Sequence, residues 1–360
     1  MQVTQLNLEN FRNFASAEFR PHSHFNVISG LNGAGKTNLL ESLYWLATLR
    51  PARTNRLREL VKWGARHNEV AGEIFSSGLT HLLSVGFKEG QRFAKRENKR
   101  VRSAGYFGPL SVVLFTPEDA TLIREAPEGR RKFLDRAIFT GRNAHLSDCI
   151  NYRKALDARN KLLRDGASDE ILSVYEATLA RYAEQVLKAR TAYIDELSEL
   201  FESAFLDITD LSVRLKYRLS TTISEGEIKE SLIELWHEDR ARDRLRGFTQ
   251  RGPHADDFQV FLRDRPARNF ASQGQQRAIV LALKIAEIGL LDKKYGRRPI
   301  LLLDDVSSEL DAQRNQALFS FLNRFEGQVF ITTTDSNFLD IRADKIVWTV
   351  RSGEISEMQD

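Results

Sequence analysis

The sequence is almost without cysteine. Cys149 stands alone in 360 residues. That excludes an internal disulfide and a zinc site built on cysteines, and Cys149 itself reads as a small buried hydrophobe. No apolar run approaches the roughly 18–20 residues that a membrane-spanning helix needs. The opening MQVTQLNLENFRNF has neither the basic start nor the apolar stretch of a secretory leader. No membrane partner and a cytoplasmic address are therefore expected. Solenoid repeats and low-complexity tracts are missing too.

What is present is ordinary for a globular chain of two or three domain-sized units. Hydrophobic residues make up 42% and charged residues 28%. The formal net charge of +4 and a pI near 9.1 hide an asymmetry. Lys88 to Arg164 carries 18 Lys and Arg against 9 Asp and Glu. Arg92, Lys95, Arg96, Lys99, Arg100 and Arg102 form one cluster, and Arg130, Arg131, Lys132 and Arg136 another. Spaced cations of this kind suit a polyanion contacted through its phosphates, without sequence readout. They suit a solvated face equally well.

The alternation from Val3 to Leu8 predicts a half-buried strand, followed by a turn over Asn10 to Phe14. A second strand over His24 to Ser29 ends at Gly30, and Leu40, Leu43, Tyr44 and Ala47 fall at helical spacing. Residues 68–115 read as short strands with turns at Gly72, Gly78 and Gly90. Thr116 and Pro117 look like the cap and first position of a helix. Leu172, Tyr175, Leu179, Tyr182, Val186, Ala189 and Tyr193 form a heptad seam. With a helix over His145 to Arg164 and a turn at 165–168, they predict a short antiparallel helical arm. Two amphipathic helices lying on a core would look the same. Leu211 to Leu219 and Asp257 to Leu262 read as strands belonging to either lobe. A helix over Gln275 to Leu291, a strand over Ile300 to Leu303, a helix over 312–324 and a strand over Val329 to Thr332 imply a parallel β-α-β tail.

Gly30-Leu31-Asn32-Gly33-Ala34-Gly35-Lys36-Thr37 has the phosphate-loop spacing between a strand and a helix. Glycines let backbone N–H groups curl around phosphates, and the helix N-terminus adds partial positive charge. Lys36 would neutralise the β- and γ-phosphates of ATP, and the Thr37 hydroxyl would ligate Mg²⁺. Such a loop needs an acid at the end of a neighbouring strand. Ile300 to Asp304 provides one. Asp304 would hold the metal, and Asp305 would orient or deprotonate the attacking water. Lys36 and Asp304 stand 268 positions apart, so a large second lobe is inserted between them. His254, Asp256 and Asp257 look superficially like metal ligands; a Gly-Pro turn entering a strand explains them as well.

Ala271-Ser272-Gln273-Gly274-Gln275-Gln276-Arg277 and Ser308-Glu309-Leu310-Asp311 flank this strand. Here the chain resembles the ABC-type ATPases, and among them the heads of SMC-like DNA-repair and chromosome proteins. Within that group LNLENFRNF from Leu6, FTPED from Phe115, GPHADD from Gly252, SQGQQR from Ser272 and LLLDDVSSELD from Leu301 resemble the recombination-repair members. The likeness runs along essentially the whole chain.

The resemblance implies an α/β P-loop head of ABC type with an inserted helical second lobe. Residues 1–120 and 271–360 would form the ATPase and 121–270 the second lobe. It implies an ATP-dependent homodimer in which Ser272, Gly274 and Gln275 meet ATP on the partner's loop. Asp311 would support the opposing loop, Arg12 would lie near the phosphates, and Thr334, with Asp335 beside it, would be the switch residue. It also implies sequence-independent binding of double-stranded DNA near single-strand gaps and junctions, weak DNA-stimulated ATP hydrolysis, and cooperation with RecR and RecO in loading RecA.

The pattern departs from the general ABC type in three places. Gln273 replaces a glycine. Asp305 is one methylene shorter than the usual glutamate. The loop after Phe115 offers Glu118 or Asp119 where a glutamine is usual. A regulatory ATP sensor with negligible turnover and the nucleotide-binding subunit of a transporter are the competing readings. A transporter subunit would need a membrane partner and a transporter-like signature; the basic segment and Gln273 count against it.

Overall fold

The computed structural model describes residues 1–54, 56–223, 227–296, 298–305, 310–334 and 340–358. Ser308, Glu309 and Asp335 lie outside these. The described chain divides into two compact units, Met1–Ala120 with Ile288–Asp360, and Thr121–Glu287.

The first unit holds two six-stranded sheets. One is antiparallel and comprises β1 (Gln2–Phe11), β2 (Phe14–Phe19), β4 (His67–Ser76), β5 (Leu79–Lys88), β6 (Gln91–Arg96) and β7 (Lys99–Arg100), in the order β2-β1-β4-β5-β6-β7. The other runs β15-β14-β3-β13-β12-β8, from β3 (Phe25–Ser29), β8 (Val112–Phe115), β12 (Ile300–Asp304), β13 (Val329–Thr333), β14 (Lys345–Arg351) and β15 (Glu354–Glu357). Its strands are parallel except for the β14–β15 hairpin. Helix α1 (Lys36–Thr48) packs against strands of both sheets, burying Leu39, Leu40, Leu43, Trp45 and Leu46 in one core. The sequence patterns follow from this layering. β12 has a covered face on each side and a neighbour at each edge, so all five of its residues are buried. β1 buries Val3, Leu6, Leu8 and Phe11, its alternation shifted between Val3 and Leu6 by an irregularity at Val3/Gln5 and again between Leu8 and Phe11. The short helix α2 (Ser103–Tyr106), a 3₁₀ turn at Leu57–Leu60 and helix α9 (Ala312–Leu322) also belong to this unit.

Two local expectations change. Gly72 is no turn. It pairs with Leu6 in mid-strand, where a Cβ would lie 2.8 Å from Leu46 Cδ2 of α1. The residue is small so that helix and sheet can approach. Thr116-Pro117 opens a 3₁₀ turn, Pro117–Thr121, and Asp119 Oδ2 accepts the Thr116 N–H at 2.9 Å. The aspartate caps the threonine, and Asp119 is thereby committed locally.

The second unit is mainly helical. It contains α3 (Pro127–Gly141), α4 (Ala144–Arg164), α5 (Asp169–Thr209) and α6 (Ile228–Arg246), with a small sheet β11-β10-β9 from β9 (Val213–Arg218), β10 (Asp257–Leu262) and β11 (Arg265–Pro266). Both strands left open in the sequence therefore belong here. The short helix α7 (Ala267–Phe270) leads to α8 (Gln273–Tyr295), which runs across the division. The expected arm is α4 and α5 joined by the turn at 165–168, but α6 packs on both helices. The seam differs accordingly. Leu172, Leu179 and Val186 are buried, while Tyr175 is 41% exposed and Glu176 takes a buried place. Two partner helices demand a wider stripe than one, and part of that stripe is ionic.

Arg159, Glu176, Arg240 and Asp243 form a neutral set of four buried charges, with the exposed Asp169 reaching Arg240 Nη1 at 3.6 Å from outside it. Arg159 Nη2 donates to Glu176 Oε1 at 2.9 Å and its Nη1 to Asp243 Oδ2 at 2.7 Å. Arg240 Nη2 donates to Glu176 Oε2 at 2.6 Å. Thr249 Oγ1 and the Trp236 carbonyl take remaining Arg159 protons. Burying charge is tolerated only when it is paired and hydrogen-bonded throughout, as here.

The Gly252–Asp257 motif is a second fastening. Arg130 grips both carboxylate oxygens of Asp257, at 2.7 and 2.8 Å. Asp256 accepts from the Tyr217 hydroxyl and the Ser220 N–H. His254 Nε2 faces the Thr249 carbonyl at 2.8 Å, so it carries the proton, and Nδ1 accepts from Tyr152 Oη at 2.6 Å. Burial pushes the imidazole down to about 4. The metal-like appearance of this motif thus dissolves into protein partners. Asp135, His145 and Cys149 also gather, but Arg190 holds both oxygens of Asp135.

Candidate nucleotide-binding site

The phosphate loop leaves β3 at Ser29 and enters α1 at Lys36. Gly35 caps the helix at φ 116°, a left-handed conformation that favours glycine. A Cβ there would also lie 2.4 Å from the Asn13 side chain. That contact shows what shapes the loop. Asn13 sits at the two-residue tip between β1 and β2. Its Nδ2 donates to the Ala34 carbonyl at 2.8 Å, and its Oδ1 accepts from Asn38 Nδ2 at 2.8 Å. The hairpin tip fixes the loop and the first turn of α1 together.

Lys36 is folded back onto its own loop. Its Nζ donates to the Gly30 carbonyl at 2.7 Å and the Leu31 carbonyl at 3.2 Å. Burial lowers its pKa, while the charges of Asp305 and Asp304 act the other way. A cationic nitrogen held by two weak acceptors, at a helix N-terminus, is suited to exchange them for phosphate oxygens.

Asp304 ends β12 beside this loop. Thr37 Oγ1 donates to Asp304 Oδ1 at 2.8 Å across 267 positions of chain. Burial raises the Asp304 pKa, and the Thr37 and Thr332 hydroxyl bonds oppose the shift. A hydroxyl and a carboxylate placed together, all oxygen, are the donor set of a hard divalent cation with waters completing its shell. These residues fit Mg²⁺.

Thr332 was not legible as a site residue. In the parallel register it stands opposite Asp304. Its hydroxyl donates to Asp304 Oδ1 at 2.8 Å and accepts the Asp305 N–H at 2.9 Å. Asp305 adopts φ 48°, so its backbone leaves the strand in a left-handed turn. Thr332 anchors that turn and aims both acids. Thr332→Val, nearly isosteric, is expected to lower ATP turnover about tenfold, as loss of a partner behind a metal ligand does. Thr332→Ser should restore it. Steady-state kinetics of the two variants check this; equal loss in both would mean that the methyl group matters and the hydroxyl does not.

The other sequence candidates have local partners. Arg12 is turned onto Glu41 of α1, at 2.8 and 3.1 Å, and onto the Glu59 carbonyl. The contact from this hairpin tip to the phosphate loop is made by Asn13. Ser272 and Gln275 form a reciprocal capping box at the start of α8: Gln275 N–H to Ser272 Oγ at 3.2 Å, and Ser272 N–H to Gln275 Oε1 at 2.9 Å. Ser272 and Gln273 are exposed and Gly274 half-buried. Asp311 caps α9 by accepting the Arg314 N–H and pairs with its guanidinium. Thr334 is exposed one residue beyond β13.

The family model described as RecF/RecN/SMC N terminal domain matches residues 2–104. The DNA replication and repair protein RecF of Anaeromyxobacter sp. (strain Fw109-5) is 41% identical over 368 residues, covering 99% of this chain and 100% of its own. A solved structure described as the recombination mediator protein RecF-ATPrS in the RecFOR pathway matches with a TM-score of 0.91 at 30% identity, over 99% of this chain and 98% of that one. The Smc head bound to the C-winged helix domain of ScpA matches with a TM-score of 0.59 at 15% identity, over 100% and 98%, a likeness of fold alone. The fold is the α/β P-loop head of ABC type that the motifs led one to expect.

Proposed function

The chain belongs to the family of the DNA replication and repair protein RecF, and from that membership we propose that it is an ATP-dependent DNA-binding protein of recombinational repair and replication restart. The observation that carries the reading is the meeting of Thr37, Asp304 and Thr332 beside a loop whose lysine is held, among the described residues, by carbonyls. Lys36 leaves those carbonyls for the β- and γ-phosphates of ATP, and backbone N–H groups of the loop take the remaining oxygens. Thr37 and Asp304 would hold Mg²⁺, which would supply charge neutralisation on the phosphates. Asp305 orients the attacking water and receives its proton.

The loop is half of a site. Ser272, Gly274 and Gln275 of a second copy close over the γ-phosphate, Ser272 leaving its capping box to do so. Asp311 supports the opposing loop and Thr334 reports the γ-phosphate. ATP thus joins two heads, the joined dimer holds duplex DNA beside single-strand gaps, and slow, DNA-stimulated hydrolysis releases it. RecR with RecO is the partner in loading RecA.

Side-chain use separates the two basic clusters. Arg130 is buried against Asp257, Arg131 donates to the Asp256 carbonyl, and Lys132 pairs with Glu128. Lys99 and Arg100 on β7 and Arg102 just after it are exposed, while Lys95 of β6, paired with Glu69 at 2.9 Å, stands opposite Arg100 with both cations over the Phe93 ring. This hairpin is the better DNA surface.

Lys36→Arg tests the whole reading. A planar guanidinium does not replace a compact ammonium at this site. ATP-dependent dimerisation and binding of gapped duplex should weaken together, as read by size exclusion with and without ATP. Loss of one with the other intact would separate nucleotide from DNA and overturn the gating.

A further inference from the structure

Helix α5 covers one face and leaves another bare over the same three turns. Glu176, Leu179, Ala180 and Ala183 pack on α4 and α6. Ile171, Val174, Tyr175 and Thr178 form a second stripe at the i, i+3, i+4, i+7 spacing, and all four are exposed, Val174 by 67%. Tyr175, which the sequence places in the inner seam, belongs to this outer stripe. The solvent side of a helix ordinarily carries charge. Here the only charged residue from Ile171 to Ala180 is Glu176, and it is buried. The Thr178 hydroxyl donates to the Val174 carbonyl at 3.5 Å, so the polar member of the stripe turns to its own helix. Contiguous apolar surface on a solvent-facing helix marks a contact.

The ends of the stripe indicate with what. Glu170 precedes it and Arg181 follows it, both exposed. Glu170 accepts from the Ser168 side chain, and Arg181 Nη2 donates to Tyr182 Oη at 2.9 Å with its guanidinium over that ring. Among the described residues neither forms an ion pair. Turning the helix end over end about the point between Tyr175 and Glu176 lays the stripe on itself and sets Glu170 opposite Arg181. The segment is its own complement, apolar in the middle and of opposite charge at its two ends.

We propose that this face of α5 is an interface between two copies of the chain, α5 packing antiparallel on α5 with Glu170 of each copy paired to Arg181 of the other. Self-complementarity is what a two-fold contact requires, and a different protein would need no such symmetry in the patch it meets. The charged ends set direction and register, as flanking charges do between paired helices. Three turns of helix, about 17 Å from Glu170 to Arg181, make a small contact, so association is weak, with a Kd on the order of 100 µM. The contact needs no nucleotide and stands apart from the ATP-dependent pairing of heads. Two different two-fold surfaces on one chain join copies in series.

The experiment is sedimentation equilibrium of the full chain without nucleotide, over roughly 5–500 µM, a range that brackets this Kd. The unaltered chain should pass from monomer to dimer. Val174→Glu, with circular dichroism to show the fold intact, should stay monomeric throughout. Glu170→Arg and Arg181→Glu should each weaken association about tenfold, since each sets like charges face to face twice, and the two together should restore it. Lys36→Arg should dimerise as the unaltered chain does. A monomeric unaltered chain at the highest concentration, a dimer indifferent to Val174→Glu, or a double reversal no better than the single ones would overturn the assignment. Loss of the dimer in Lys36→Arg would overturn it too, by showing that the heads and not the arms hold the copies together.

Discussion

Asp305→Asn is expected to bind ATP, to lose turnover by about 100-fold or more, and to persist as a DNA-bound dimer. Asparagine keeps the shape of aspartate but cannot accept a proton from water. The backbone makes it the right replacement for a second reason. Asp305 sits at φ 48°, and asparagine is the side chain that tolerates this region best after glycine. The Asp305 N–H bond to Thr332 Oγ1 is a main-chain bond and survives the change. Alanine would add backbone strain to the chemical loss and confuse the two. Size exclusion with ATP and gapped duplex, paired with a phosphate-release assay, reads the outcome. A monomeric Asp305→Asn in ATP would remove the gated dimer as a mechanism. Turnover at the level of the unaltered chain would move the base to another residue.

The parts of this site that could be read directly were those written contiguously. Gly30 to Thr37 is one segment, and Ile300 to Asp305 is another whose apolar run ends in acids because β12 is covered on both faces. Thr332 and Asn13 escaped because their roles exist only across the fold. Thr332 meets Asp304 through the register of two parallel strands, and Asn13 reaches Ala34 from a hairpin tip. No spacing rule in the sequence marks either. Helix α6 went unread for a different reason. Its buried face carries Leu232, Leu235 and Trp236 but continues as Asp239, Arg240 and Asp243. Apolar periodicity fails wherever the interior is ionic. Tyr175 was placed in the seam and Glu176 was not, for the same cause. The two basic clusters looked alike as composition. The carboxylate of Asp257 against Arg130 and the Asp256 carbonyl on Arg131 show that part of one of them is turned inward.

That ionic interior predicts the largest effect on stability. Arg159→Met should destabilise the second unit by about 3–5 kcal/mol, the range found when one member of a buried ion pair is removed. Methionine matches the arginine stem, so the loss is electrostatic more than volumetric. Without Arg159, Glu176 keeps Arg240, but Asp243 loses its cation and retains, among the described residues, the N–H groups of Gln250. The cluster changes from neutral to an uncompensated negative charge where all four side chains are nearly fully buried. A typical domain has only about 5–15 kcal/mol to lose, so partial unfolding near physiological temperature follows. A second change isolates the cause. Asp243→Asn in the Arg159→Met background removes the stranded charge and should recover at least about 1 kcal/mol, a coupling that distant, independent sites do not show. Urea denaturation of the single and double variants measures it. Additive losses would mean that the four charges act separately, and that α4, α5 and α6 are held by Leu156, Leu179, Leu232 and Trp236 alone.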